Sequence, residues 1–140
     1  MKYILFTFLC VVSALLFTIN ASETSPSTEK LSEKIGSEFV HTIKSIDTIN
    51  VISSDQKMNA SLTRAIKSCV LNDDHFYFDK TKKCEFVPEI GFKISGKKEY
   101  IIYASYCAKQ LKFIDGNHET ILDCDPMGAL MENTFKKAVQ

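Results

Sequence analysis

Apolar residues recur along this chain at two periods, and each period predicts its own elements. Between residues 26 and 45, Leu31, Ile35, Phe39, Ile43 and Ile46 follow one another at spacings of four and three. That is one buried stripe of a helix, opened by Ser25 and Pro26 and weakened only by Gly36. Residues 47–52 are rich in β-formers and predict a short strand. Ser53 and Gln56 have the spacing of a capping box. The helix they introduce, about 55–70, carries Met58, Leu62, Ile66 and Val70 on one side and Cys69 in its last turn. Asn72, Asp73 and Asp74 end it, and His75 to Phe78 predict another short strand.

From Cys84 to Ile94 the period changes to two. Cys84, Phe86, Pro88, Ile90, Phe92 and Ile94 alternate with Glu85, Val87, Glu89, Gly91 and Lys93. One dry and one wet side mean a half-buried antiparallel strand, with Pro88 at an edge or a bulge. Ser95 to Lys98 are the turn. Glu99 to Cys107 is apolar on both sides and reads as a central strand, with Ala108 to Ile114 continuing it after a bend. Asp115-Gly116 is a strong hairpin signal, and His118 to Cys124 is the returning strand. Asp125 caps and Pro126 opens a last helix to about residue 138, with Leu130, Met131, Phe135 and Ala138 inward. Together these elements predict an α+β fold: a small antiparallel β-sheet of about three to five strands with helices packed on one face.

The N-terminus obeys neither period. Lys2 is followed by an almost wholly apolar run from Tyr3 to Ile19 and then by Asn20, Ala21 and Ser22. A basic start, an apolar centre and a small-residue exit are the layout of a secretory signal peptide, cut after Ala21, with Ser22 as the alternative. The opposing reading is a permanent anchor. The run is at the short limit for a span, and no basic cluster follows it. Phe8 and Leu9 stand before Cys10 where a lipidated cysteine has small residues. The chain thus divides into residues 1–21, a signal peptide, and 22–140, a single α+β domain whose residues 22–27 form a loose leader.

Composition adds exclusions. Of 140 residues, 17 are basic and 17 acidic, and loss of Lys2 shifts that balance by one unit. A neutral chain has no field for nucleic acid or an anionic membrane, so neither is an expected partner once the signal is removed. Arg64 is the sole arginine, a skew that fits an AT-rich bacterial genome and hence a periplasmic or secreted destination.

Export would place Cys69, Cys84, Cys107 and Cys124 in an oxidising compartment, where disulfides form. If Asp115 and Gly116 are the two turn residues, Ile114 faces Asn117. Cys107 then faces Cys124 at a Cα separation of about 4.5 Å, within disulfide range, and Lys112 faces Glu119. Cys69 is left for Cys84, closing a loop of about 15 residues worth about 3 kcal/mol in the chain-entropy model. The rival pair is Cys84 with Cys107, which hairpin register would place diagonally. No two of these cysteines have the spacing of a zinc knuckle or a Cys-x-x-Cys redox motif, so no metal and no cofactor are expected.

Other candidate chemistry is sparse. His41 lies near the edge of the first stripe. His75 follows Asp73 and Asp74, a run better suited to ending a helix than to gripping one ion. His118 would face Phe113 in the hairpin. Asp123 and Asp125 flank Cys124 and, with His118, are the one set that could do acid–base work, provided that they converge within hydrogen-bond reach. No Gly-x-Ser-x-Gly frames a serine and no glycine-rich phosphate loop is present. Lys82-Lys83, Lys97-Lys98 and Lys136-Lys137 read as solvated pairs. Asn59-Ala60-Ser61 is a glycosylation acceptor only in a eukaryotic host. Tyr100, Tyr103 and Tyr106, with Phe76, Tyr77 and Phe78, crowd the middle of the chain, as core or as a binding surface.

Cys84, Pro88, Gly91 and Ser105-Tyr106-Cys107 resemble a pattern found in a group of small exported bacterial proteins without known activity. The resemblance spans about 40 residues and implies location only. Cystatins share the size, the export and the helix-on-sheet plan, but their inhibitory Gln-x-Val-x-Gly loop and their tryptophan are missing here. The expected function is therefore an exported, disulfide-stabilised, non-enzymatic domain that binds a protein partner, as an inhibitor or an envelope accessory factor. The alternatives are a small secreted hydrolase using His118 with Asp123 or Asp125, and a secreted host-interaction protein. The partner-binding and host-interaction readings both require a contiguous exposed apolar patch.

Overall fold

A computed structural model of the chain describes residues 25–80 and 82–140. The signal peptide expected over residues 1–21, with its cut after Ala21 or Ser22, lies outside the described residues. The described residues form four α-helices and one six-stranded antiparallel sheet, one strand more than the upper expectation. The helices are α1 (Glu29–Ile35), α2 (Ser37–Ser45), α3 (Ala60–Val70) and α4 (Gly128–Lys136). The strands are β1 (Asn50–Val51), β2 (Gln56–Lys57), β3 (Ile90–Ser95), β4 (Glu99–Ser105), β5 (Gln110–Asp115) and β6 (His118–Asp123), in the order β2-β1-β3-β4-β5-β6. Short 3-10 turns occupy Asp73–His75 and Asp125–Met127. Among the described residues no helix is long and apolar enough to cross a membrane.

Period two puts three cross-strand rows on one face of the meander. Ile94 pairs with Tyr100, Phe92 with Ile102 and Phe113, and Ile90 with Ala104, Leu111 and Leu122. The helices cover this face. Phe39 of α2 stacks on Tyr100 at 4.3 Å and meets Phe113 edge-on at 5.9 Å. Phe135 of α4 meets Phe92 edge-on at 5.0 Å. Leu31, Ile35 and Ile43 complete the first stripe, Ile66 and Val70 the second, and Met131 the third. Leu130, expected inward, is half exposed, because the buried positions of α4 are Gly128, Met131, Thr134 and Phe135.

The first predicted helix is broken in two. Gly36 adopts φ +92°, a conformation open to glycine at little cost, and ends α1 while starting α2. Helix α1 begins at Glu29 rather than at Pro26. The leader is not loose at its end, because Asp73 reaches across to cap α1. Its carboxylate accepts hydrogen bonds from the N–H of Lys30 (3.1 Å) and Leu31 (3.0 Å) and from the Ser27 hydroxyl (2.8 Å). The Asp73 N–H donates to the Ser27 carbonyl at 2.8 Å. Burial works against this charge, but the hydrogen bonds from Leu31, Ser27 and Lys30 outweigh it and hold the carboxyl below its usual range.

Four local expectations need correction. Helix α3 starts at Ala60, because the Asn59 side chain accepts from the Leu62 N–H at 2.8 Å, and Gln56 belongs to β2. His75 to Phe78 form no strand beyond a single bridge between Tyr77 and Asp123. The strand predicted from Cys84 begins only at Ile90: Pro88 donates no hydrogen bond, and Lys82 to Glu89 run as irregular chain. The chain does not continue beyond Ser105 after a bend. It reverses through Tyr106 to Lys109, with Lys109 at φ +49° and Ser105 paired to Gln110.

The last hairpin forms where expected but in another register. Asp115 faces His118, with Gly116 and Asn117 as the turn residues. Gly116 takes the first central position at φ +59°, the position that favours glycine in a type II′ turn. Every β5 residue therefore meets a residue two further along β6 than predicted, which keeps each side chain on its face but changes its partner. Phe113 faces Thr120 rather than His118, and Ile114 faces Glu119. Lys112 still bonds Glu119, now diagonally, at 3.1 Å. Cys107 sits on the Tyr106–Lys109 turn, and the register no longer sets it opposite Cys124.

Candidate functional site

Among the described residues, no helix packs on the other face of the sheet. Two cross-strand rows define it. Lys93, Ile101, Ile114 and Glu119 make one, and Gly91, Tyr103, Lys112 and Ile121 make the next. The first row has an apolar centre and charged ends, whereas the second carries the Lys112 charge between Tyr103 and Ile121. Ile121 is 45% exposed, and Ile101, Tyr103 and Ile114 are half-buried. Tyr103 owes its position to Gly91, where an added Cβ would stand 2.6 Å from the tyrosine ring and 2.9 Å from the end of Ile52. The ring thus lies across β3 at the one residue without a side chain. A shallow groove of about 200 Å³ opens beside it, lined by Ile52, Pro88, Gly91 and Tyr103.

At the other end this face is closed. The third row, Ser105, Gln110 and Asp123, is buried although it points away from the helices. Residues 82–89 run past it: Lys82 bridges Asp123, and Phe86 lies under the ammonium of Lys112 in the next row at 5.2 Å. The segment is held at both ends. Lys82 bridges Asp125 (2.7 Å) and Asp123 (3.2 Å) and donates to the Ala108 carbonyl at 2.9 Å. Partial burial pulls the Lys82 pKa down, but its hydrogen bonds to Asp125 and Asp123 outweigh that and raise it. At the far end the Glu89 carboxylate accepts from the N–H groups of Tyr106 and Cys107. Lys82, expected to be solvated, is thus a structural tie. It stands far from Asp123 along the chain, and no local pattern announces the pair.

The proposed acid–base set does not converge. His118 and Asp123 stand at opposite ends of β6, about 17 Å apart by strand rise and on opposite faces. His118 is exposed beside a cleft of about 310 Å³ between the Gly36 break and the last hairpin. Asp123 is 3% exposed and bonds Lys82 and the Asp125 N–H (2.9 Å). His41 is exposed on α2. His75 has a capping role: its Nδ1 donates to the Cys69 carbonyl at 2.8 Å, near the end of α3, and its Nε2 meets the Asn72 amide at 3.2 Å. Asp73, next to it, serves α1 instead, and among the described residues no three metal-ligating side chains come together.

The four cysteines among the described residues fall into two classes. Cys69 and Cys124 are buried and Cys84 and Cys107 exposed, all as free thiols. Tyr100 and Phe76 belong to the core, Tyr103 to the open face, and Tyr106 lies partly buried against the core. No protein-family model matches the chain, no curated protein matches it, and no solved structure matches it.

Proposed function

We propose that this protein is an exported binding domain that docks a protein partner on the open face of its sheet. The observation that carries this reading is the pair of rows Lys93-Ile101-Ile114-Glu119 and Gly91-Tyr103-Lys112-Ile121. Ile101, Tyr103, Ile114 and Ile121 make this face apolar and aromatic, and Lys93, Lys112 and Glu119 add charges among them, a mixture suited to protein recognition. Export is supported by the apolar segment from Tyr3 to Ile19 and its small-residue exit. A secreted host-interaction protein would use the same surface. The hydrolase reading has no support in the placement of His118 and Asp123.

A photoreactive side chain placed at position 121 tests the proposal in an envelope fraction. The expected result is one cross-linked species that disappears when Ile101→Asp is added. Leu130, exposed on α4, is the control position. Cross-linking of the same species from both positions, or from neither, overturns the docking surface.

A further inference from the structure

Burial divides the four thiols and decides which can meet. Cys69, 2% exposed, lies against the Thr134 hydroxyl at 3.7 Å, and Cys124, fully buried, against the Met131 sulfur at 3.4 Å. Both side chains are packed under α4. Burial raises the Cys69 pKa and pushes Cys124 up to about 12, which suppresses the thiolate that attacks a disulfide. In the folded chain both are less open to an oxidant than the two exposed thiols.

Cys84 and Cys107 stand in a different setting. Cys107 is on the Tyr106–Lys109 turn, and that turn holds both ends of the segment that carries Cys84. Lys82 donates to the Ala108 carbonyl at 2.9 Å, and Glu89 accepts from the N–H groups of Tyr106 and Cys107. Residues 82–89 contain no helix or strand. The two thiols are unpaired in the structure, so the segment between its two ties must shift to bring the Cα atoms to the roughly 4.4–6.8 Å that a disulfide requires. Two ties to one turn keep the second sulfur at high effective concentration once the first has reacted.

We propose that Cys84 and Cys107 form a disulfide that locks the 82–89 segment onto the Tyr106–Lys109 turn at the rim of the open sheet face. A small disulfide such as oxidised glutathione is the oxidant. The thiolate of one cysteine attacks a glutathione sulfur, forms a mixed disulfide and releases one glutathione. The thiolate of the other attacks the protein sulfur of that mixed disulfide and releases the second glutathione. One S–S bond forms in the protein, one is reduced in the oxidant, and the two cysteine protons end on the two glutathione thiols. The pairing does not rest on the docking surface, and its test needs only the purified chain, so either can fail alone.

The test is oxidation of the folded chain with oxidised glutathione, alkylation of the remaining thiols, and tryptic mapping without reductant. Cleavage after lysine puts Cys69 in peptide 68–80, Cys84 in 84–93, Cys107 in 99–109 and Cys124 in 113–136, so every pairing has its own mass. The expected product joins 84–93 to 99–109, with 68–80 and 113–136 alkylated only after unfolding. Glu89→Ala should slow the reaction on the order of tenfold by releasing one tie. A link from 68–80 to 84–93 or from 99–109 to 113–136 overturns the pairing. So does separate glutathionylation or alkylation of Cys84 and Cys107, or an unchanged rate in Glu89→Ala.

Discussion

The two faces of this sheet are made by alternate residues of the same strands, and they have opposite burial. Phe92, Ile102 and Phe113 point to the helices and are at most 2% exposed. Their neighbours Lys93, Ile101, Tyr103 and Ile114 point the other way and remain in contact with solvent. If the open face is the proposed docking surface, stability and recognition are separated by a single step along the chain. The covered face can change little without loss of the fold, whereas the open face is free to serve a partner.

The sharpest way to break this comparison is Phe113→Ala. Phe113 contacts Phe39 and Phe76 as well as its own row, so its truncation should cost about 3–5 kcal/mol. Denaturant unfolding would show it, and a loss below about 1 kcal/mol would deny that the covered face holds the fold.

Asp73→Ala comes next. It removes the acceptor for two helix N–H groups and a hydroxyl, and should cost about 2 kcal/mol. Because the native carboxyl ionises below its ordinary value, its contribution is complete above about pH 4 and fades as pH falls through the lower native pKa. Stability measured from pH 6 down to pH 2 should therefore fall less steeply in Asp73→Asn than in the unmodified chain. Equal slopes would mean that the cap is not charged.

Gly91→Ala belongs to both faces, since it lies in β3 but displaces the Tyr103 ring of the open face. A loss of about 1 kcal/mol is expected, and Tyr103→Ala in the same chain should recover part of it, a coupling readable from a double-mutant cycle. The smallest effect should come from Ile121→Lys, within about 0.5 kcal/mol of the unmodified stability. The same substitution should abolish capture of the partner. A large stability loss here would show that the open face is part of the core.

Much of this was legible because period is a local property. The stripes through Leu31, Phe39, Ile66 and Phe135 and the alternation from Ile90 to Ile94 follow from which residues must avoid water, and they were readable one segment at a time. The α+β class follows from them. The breaks were not readable in the same way. Asn59 and Gln56 both offer helix-start chemistry, and a two-residue strand at β2 decided between them. The Tyr106–Lys109 reversal contains no glycine, proline or asparagine, so nothing local marks it. It is secured by the Glu89 carboxylate and by the Cys124 N–H, which donates to the Lys109 carbonyl at 2.9 Å.

The candidate site divides along the same line. That Tyr103, Ile101, Ile114 and Ile121 share a face follows from alternation once the strands are known. That this face is the uncovered one depends on where four helices pack. The thiols show the limit most clearly. Sequence determined that four cysteines follow residue 25 and that a hairpin turns near Gly116. Which cysteines share a surface depended on the turn register and on which thiols α4 covers. Those are contacts between residues far apart in the chain, and only the folded packing, where each burial is weighed against every other, brings them together.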